Sequence, residues 1–303
     1  MDFYSQIARN KRMTYILFLL FFILIGFLAY VVSFIIDWYF GAGFIFFYSI
    51  FGVLTIIFAI TSYYSSDKIV TSISKAKEAP ASKFKQLHNI VEELCIASGL
   101  PKPKIFVIND TAINAFATGR NPEHAVVCVT VGCLTRLSRA QLQGVIAHEL
   151  SHIKSYDVRT MTIATVLVGM AVLLSDMMFR MFFFGSLGRS NSRDSGGIMI
   201  AMIGISIVLA ILTPIIAKMI TFTISRKREF SADAAAIQLT RNPEGLATAL
   251  EVIGKDTEKL EAANKATAHL YISNPLRGQK LLMKSLFSTH PPIKDRVRAI
   301  RGH

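Results

Sequence analysis

Two uncharged apolar blocks near the start of the 303-residue chain constrain its fold more than any other feature. They cover Met13–Ile36 and Phe40–Tyr64, and each is longer than the ~20 residues that a helix needs to cross a bilayer. Asp37, Trp38 and Tyr39 alone separate the blocks. This arrangement predicts a tight membrane hairpin with the two aromatic residues at a membrane interface.

A second pair of apolar blocks follows later in the chain, at about 160–184 and 198–220. The earlier block contains Asp176 and Arg180, which are i, i+4 neighbours on a helix. These two groups either pair within the membrane or lie at its far interface. The sequence therefore predicts about four transmembrane helices and leaves the depth of the third one open.

The composition agrees with a membrane protein and excludes other classes. Hydrophobic residues make up 52% of the chain and charged residues 17%, whereas an ordinary soluble domain carries roughly 25% charged residues. The same hydrophobic content excludes a disordered chain. Three cysteines cannot form the disulfide framework of a small secreted scaffold.

The net charge of +13 invites a nucleic-acid interpretation, but its distribution favours a different one. Basic residues cluster where the apolar blocks meet the two long polar segments, at Arg9, Lys11, Arg12, Lys68, Lys75, Lys77, Lys154, Arg159, Lys218, Arg226, Lys227 and Arg228. The positive-inside rule then places both termini and both polar segments in the cytoplasm. We expect a multi-pass protein of the cytoplasmic membrane, in contact with the lipid bilayer and without a nucleic-acid partner.

The predicted organisation has five parts. A cytoplasmic amino terminus (1–12) leads into the transmembrane hairpin (13–64). Two polar segments, 65–159 and 225–303, flank the second transmembrane pair at 160–224. Together the polar segments are long enough for one ordinary domain with a hydrophobic core, and we expect them to fold together.

Periodicity and capping signals predict several elements within the polar segments. An amphipathic helix is expected over Ser82–Ser98, and strands at Lys104–Asn109 and Ala125–Val131. Another helix begins at Ser138, where Gln141 completes a capping box.

That capped helix contains the run His148-Glu-Leu-Ser-His152, an H-E-x-x-H pattern. Four residues at about 100° each return His152 to the helix face of His148, so both imidazoles can bind one Zn²⁺. Zinc lowers the pKa of a bound water to about 7. Glu149 is then placed to take the proton as the water attacks a carbonyl, and to pass it to the leaving amine.

A catalytic zinc site needs a third protein ligand and an open position. Glu229 directly follows the fourth apolar block, just as His152 shortly precedes the third. Two helices that enter the membrane side by side would therefore bring these segments together at the cytoplasmic surface. Glu229 is therefore the predicted third ligand. Asp233 lies one turn further along and is expected to orient a ligand histidine through its second ring nitrogen.

Four motifs together resemble the M48 zinc metallopeptidases, and within them the HtpX-type membrane proteases. The motifs are Asn114-Ala-Phe-Ala-Thr-Gly119, His148–His152 followed by Asp157, Ser225-Arg-Lys-Arg-Glu229 with Ala232-Asp233, and Ser288-Thr-His-Pro-Pro292 with Arg296. The resemblance implies a zincin-like α+β metallopeptidase domain, mainly helical, inserted between and after about four transmembrane helices. It also implies cleavage of misfolded or damaged membrane proteins at the cytoplasmic face during envelope stress.

The resemblance further assigns roles that spacing does not supply. It implies that an edge strand binds extended substrate backbone through Asn114, Ala115, Phe116 and Ala117. It also implies that His290 and Arg296 stabilise the oxyanion of the tetrahedral intermediate. For Arg296, a structural ion pair with Asp295 or another acid stays open.

The function hypothesis is a zinc metalloendopeptidase with one Zn²⁺ per chain, acting on membrane-protein or unfolded polypeptide substrates; self-cleavage and the oligomeric state stay open. The first alternative is a site-2-type intramembrane metalloprotease, but Ser151, Lys154, Ser155 and Asp157 make the region around the second histidine polar. The second is a non-catalytic membrane scaffold or a transporter with a structural zinc. A structural site would need no Glu149 between its histidines.

Overall fold

The computed structural model describes residues 3–41, 43–166, 226–263, 267–273, 275 and 291–302. We number the following α-helices: α1 Phe3–Phe40, α2 Phe44–Tyr64, α3 Ser66–Ile73, α4 Lys85–Ser98, α5 Val131–Arg136, α6 Arg139–Lys154, α7 Arg226–Thr240, α8 Pro243–Lys255 and α9 Ile293–Arg301. Residues 157–166 are also helical, and Pro122–His124 forms a short 3-10 helix. The four strands are β1 Lys77–Glu78, β2 Lys104–Ile108, β3 Ala115–Gly119 and β4 Ala125–Thr130. The predicted second transmembrane pair, apart from residues 160–166, lies outside the described residues, and so does His290.

The first two helices form an antiparallel pair at the amino-terminal end. Within the part of the chain that the structure describes, two segments are long and apolar enough to cross a membrane, Ile7–Phe27 and Phe44–Tyr64. Apolar side chains of α2 point away from the rest of the protein, as for Ile45, which is 77% exposed. Such a surface is stable only where lipid or another apolar partner covers it.

The turn of this hairpin lies later than the sequence predicts. Residues 37–39 were expected to separate the two spans, but α1 continues through them to Phe40. The reversal occurs at Gly41 and Gly43, whose φ values of 57° and 82° fall in the left-handed region that favours glycine. Asp37 then accepts a hydrogen bond from the backbone N–H of Gly43 at 2.9 Å, which closes the turn.

A four-stranded sheet of order β1-β2-β4-β3 forms one layer of the polar domain. β2 and β4 pair in parallel in the middle of the sheet. β1 pairs antiparallel with β2 at one edge, and β3 pairs antiparallel with β4 at the other edge. β4 is buried along its whole length, which agrees with its apolar, β-branched sequence. The strands predicted at 104–109 and 125–131 correspond to β2 and β4, and the domain is mostly helical with this small sheet.

Helix α6 lies at the centre of the domain. Its capping box is present: Ser138 Oγ accepts from the Gln141 N–H at 3.3 Å, and Gln141 Oε1 accepts from the Ser138 N–H at 2.9 Å. One continuous core joins α6 to the sheet and to helices α4, α8 and α9, with Val127, Val145 and Leu250 fully buried. The helix that carries the H-E-x-x-H run is therefore held on several sides.

The packing of α6 against α8 depends on Gly144. A Cβ added at this position would lie 2.8 Å from the backbone N and Cα of Leu246. Because these are backbone atoms, the two helices would have to separate. We expect Gly144→Ala to destabilise the domain by about 1–3 kcal/mol, as overpacked core substitutions do, seen as a lower midpoint of thermal unfolding.

Gly254→Ala is the matched control for this prediction. Gly254 lies on α8, the helix against which Gly144 packs. A Cβ at Gly254 would meet only the side chain of Ile293, at 3.4 Å. Since alanine favours a helix over glycine by about 1 kcal/mol, this variant should be as stable as the wild type or more so. Equal midpoints for the two alanine variants would contradict the close approach.

Candidate metal centre

Two helices bring three potential ligands together. His148 and His152 lie one turn apart on α6, and their Nε2 atoms are 3.2 Å from each other. Glu229 in the first turn of α7 places its carboxylate oxygens 3.8 Å from His148 Nε2 and 3.6 Å from His152 Nε2. One ligand atom of each residue lies within 4.8 Å of the others, and all three residues are buried.

The other nitrogen of each imidazole contacts a carboxylate. Asp233 Oδ1 lies 2.9 Å from His148 Nδ1, and Asp157 Oδ2 lies 3.2 Å from His152 Nδ1. These contacts favour the tautomer with hydrogen on Nδ1, so the lone pairs of both Nε2 atoms face each other and the Glu229 carboxylate. With Nδ1–H on both rings, two Nε2 lone pairs and the Glu229 carboxylate converge, which favours a positive charge between them, either a proton on His152 or a metal ion, and two His with one Glu suit zinc.

The electrostatics of the two histidines differ. Burial, together with the nearby Arg296, lowers the pKa of His148 to about 4, which keeps it neutral. Burial also opposes the charged form of His152, but Asp157 and Glu229 outweigh it and raise the pKa of His152 to about 9. The surroundings of His152 therefore stabilise a positive charge, which is either a proton on the imidazole or a metal cation bound to it.

Glu149 lies beside the ligands but is not one of them. Its side chain is buried, and this burial raises the pKa of its carboxyl to about 7, against the opposing effect of His152. The backbone N–H of Ala117 on β3 donates to the carboxylate. A carboxylate with such a pKa can accept a proton and release it again near neutral pH.

Sequence reasoning placed Asp157 in a motif without assigning it a role. In the structure this carboxylate follows α6 by three residues, is 1% exposed, and accepts from Ser155 Oγ at 2.8 Å as well as contacting His152. Arg228 of α7 lies 3.4 Å from its Oδ1. The sequence shows an acid five residues beyond the second histidine. This spacing alone does not show that the chain turns back and brings the carboxylate into contact with His152.

Arg296 of α9 is fully buried behind the site. Its Nε and Nη2 donate to the two carboxylate oxygens of Asp233, at 2.9 and 2.6 Å, and its Nη1 donates to the Ile272 carbonyl at 3.2 Å. Nη1 also lies 3.6 Å from Glu229 Oε2. The acid that pairs with Arg296 is therefore Asp233, and its predicted oxyanion role stays a prediction, as does that of His290, which lies outside the described residues.

The predicted substrate segment lies along the outer edge of the sheet. The side chains of Asn114 and Phe116 point into the interior, where Asn114 Nδ2 donates to the Ser273 carbonyl at 3.0 Å. The backbone groups of Ala115 and Ala117 point away from β4, toward the outer edge of the sheet. In this conformation the Ala115 carbonyl accepts from the Ile272 N–H at 2.9 Å, and the Ala117 N–H contacts Glu149.

Asp233 should set the zinc affinity through His148. Asp233→Asn keeps the size of the side chain but removes the charge that holds both the imidazole N–H and Arg296. Losing such a partner of a ligand histidine typically costs about 10–100-fold in metal affinity, which is the loss we expect in competition with a chromophoric chelator. Asp295→Asn changes an exposed acid next to Arg296 and should bind zinc as the wild type does; an equal loss in both variants would contradict the assignment.

Comparison with known proteins identifies the family of this chain. The sequence profile of peptidase family M48 matches residues 81–303, so the chain belongs to this family of metallopeptidases. Curated relatives named Protease HtpX homolog match nearly the whole chain. The relative from Dictyoglomus thermophilum is 45% identical, over 99% of this chain and 94% of its own, and that from Caldanaerobacter subterraneus is 42% identical, over 99% and 97%.

A less similar relative and a solved structure agree with this family. The Protease HtpX homolog of Streptococcus uberis is 38% identical, over 98% of this chain and 99% of its own. The crystal structure of Ste24p from S. mikatae superposes with a TM-score of 0.50 at 20% identity, over 98% of this chain and 67% of that one. At this identity the superposition supports the fold alone.

Proposed function

We propose that the chain is a membrane-bound zinc endopeptidase that cleaves misfolded or damaged membrane proteins at the cytoplasmic face. The observation that carries the proposal is the convergence of His148, His152 and Glu229, with Glu149 buried beside them. The names of the curated relatives, which describe proteases, support the same activity.

Each residue has a chemical task in this proposal. When bound, zinc supplies Lewis acidity to a water molecule and to the scissile carbonyl. His148, His152 and Glu229 would hold the ion, and Asp233 and Asp157 would keep the two imidazoles oriented. Glu149 accepts a proton at its carboxylate and returns it to the nitrogen of the leaving amine.

The substrate would bind in an extended form along β3. Pairing with the backbone groups of Ala115 and Ala117 reads a peptide without regard to its sequence, which suits a quality-control protease. Because the Ile272 N–H bonds to the Ala115 carbonyl in the present conformation, residues 270–273 would have to shift for a peptide to pair there, and Glu149 would have to release the Ala117 N–H.

The position of the membrane hairpin supports a site next to the membrane. Lys11 near the start of α1 lies over the ring of Tyr156, with Nζ 4.6 Å from the ring centroid, just after the H-E-x-x-H helix. This contact supports a metal centre on the same side of the membrane as the basic end of α1, and the positive-inside rule favours the cytoplasm for that side. Since α6 packs in the polar domain and not within an apolar span, a site-2-type intramembrane arrangement is disfavoured.

Metal dependence tests the proposal directly. Full-length protein purified in detergent and stripped with a chelator should not cleave an unfolded membrane protein. Cleavage should return when about one equivalent of zinc is added, and metal analysis should find one zinc per chain. Equal cleavage by stripped and zinc-loaded protein would overturn the proposal.

A further inference from the structure

Asn10 on the first membrane helix reaches the network behind the metal centre. Its side-chain amide Nδ2 lies 2.6 Å from Asp157 Oδ1 and 2.9 Å from the carbonyl oxygen of Ser155. Both partners are acceptors, so only the NH₂ group of the amide fits this position. Asn10 is 2% exposed although it lies near the start of a membrane helix, so its amide is desolvated and committed to these two contacts.

The two carboxylate oxygens of Asp157 contact different partners. Oδ2 faces His152 Nδ1 at 3.2 Å and Ser155 Oγ at 2.8 Å. Oδ1 faces the membrane helix through Asn10, with Arg228 further away at 3.4 Å. A carboxylate held at both oxygens has one orientation, and that orientation fixes the plane of the His152 ring.

The contact between α1 and the residues after α6 is specific at more than one point. Thr160 Oγ1 donates to the Asn10 carbonyl at 3.2 Å, and Thr14 Oγ1 lies 3.2 Å from Thr160 Oγ1. Thr14 and Thr160 are both fully buried. Thr14 Oγ1 also donates to the Asn10 main-chain carbonyl at 3.1 Å, but neither hydroxyl contacts Asp157 or the Asn10 side-chain amide. The hydroxyl pair therefore joins α1 to the residues after α6 apart from the contact that supports the histidine.

We infer that Asn10 is a positioning residue of the metal centre: it holds Asp157, which orients His152, so the first membrane helix helps to set the metal affinity. The inference rests on the proposed zinc site and extends it. The hairpin then has two tasks, because it anchors the protease and also completes the hydrogen-bond network behind one ligand. Displacing α1 relative to the domain would weaken the site without any contact to the metal.

The test measures zinc affinity of full-length protein in detergent by competition with a chromophoric chelator. Asn10→Ala should lower the affinity about 10-fold or more, within the range for partners of ligand histidines. Asn10→Asp should lower it further, because two carboxylates would then face each other at the 2.6 Å contact. Combining Asn10→Asp with Asp157→Asn exchanges donor and acceptor and should bind zinc more tightly than Asn10→Asp alone.

Thr14→Val is the matched control, since it removes a buried hydrogen bond from the same helix contact but leaves Asp157 untouched. It should bind zinc as the wild type does. The absorption spectrum of the cobalt-substituted protein supplies a second readout, and it should change in Asn10→Ala and not in Thr14→Val. Wild-type affinity in Asn10→Ala, or an equal loss in Thr14→Val, overturns the inference.

Failure of the proposed zinc site and failure of the role of Asn10 give different results. If the wild type binds no zinc, the proposed function fails and the inference fails with it. If the wild type binds zinc and cleaves while Asn10→Ala retains full affinity, only the role of Asn10 is overturned.

Discussion

Glu149→Gln should abolish peptide cleavage and leave zinc bound. The carboxamide has nearly the same shape as the carboxylate but cannot accept a proton at neutral pH. General base catalysis contributes about 10²–10⁴-fold, so the rate should fall at least 100-fold. Zinc content should stay at the wild-type level, because Glu149 lies beside the ligand set and is not part of it. Cleavage of an unfolded membrane substrate, with metal analysis of the same sample, measures both.

Glu92→Gln provides the matched control for this substitution. Glu92 on α4 makes an exposed ion pair with Lys102, and the side chain of Glu92 is 59% exposed. Exposed pairs of this kind contribute little to stability, so this variant should cleave and bind zinc normally. Equal rates for the wild type and Glu149→Gln would remove Glu149 from the mechanism.

Glu229→Ala should lose zinc, and cleavage with it. The substitution removes one of three ligands from a buried site and leaves two imidazoles, so the loss should exceed the ~10–100-fold effect of removing a partner behind a ligand. Stripped protein titrated with zinc against a chelator measures this affinity. The order of affinities should be the wild type and Glu149→Gln first, then Asp233→Asn, and then Glu229→Ala.

Loss of folding must be separated from loss of the ligand in that experiment. Removing Glu229 also removes an acid 3.6 Å from Arg296 Nη1, but Asp233 still pairs with this guanidinium through two hydrogen bonds. The stripped variant should therefore keep the circular dichroism spectrum of the stripped wild type. Wild-type zinc content in a folded Glu229→Ala protein would exclude Glu229 as a ligand.

Local patterns of the sequence predict much of the domain. The capping box at Ser138 and the apolar face of α6 define the helix that carries His148 and His152, and their separation of one turn follows from helix geometry. The strands around residues 104 and 125 follow from β-branched runs. Each of these features depends on residues within a few positions of one another, so the sequence alone contains the necessary information.

Contacts between distant segments were only partly predictable. Glu229 was inferred from its place beside the membrane, but which acid orients which histidine depends on how α7 and α9 pack against α6. Arg296 pairs with Asp233, 63 positions away, although Asp295 is its neighbour in the sequence. Pairings of this kind arise from tertiary packing, which short-range patterns do not specify.

The apolar hairpin shows most clearly which features local sequence patterns predict and which depend on tertiary packing. The sequence by itself predicted a hairpin of two apolar helices long enough to cross a membrane, a capped H-E-x-x-H helix and a polar domain long enough for one core. Only the tertiary structure placed Asn10 against Asp157, 147 positions further along. Helix periodicity and hydrophobicity act over a few residues, whereas the support of a metal ligand is decided by which buried donors and acceptors the folded chain brings within hydrogen-bond distance.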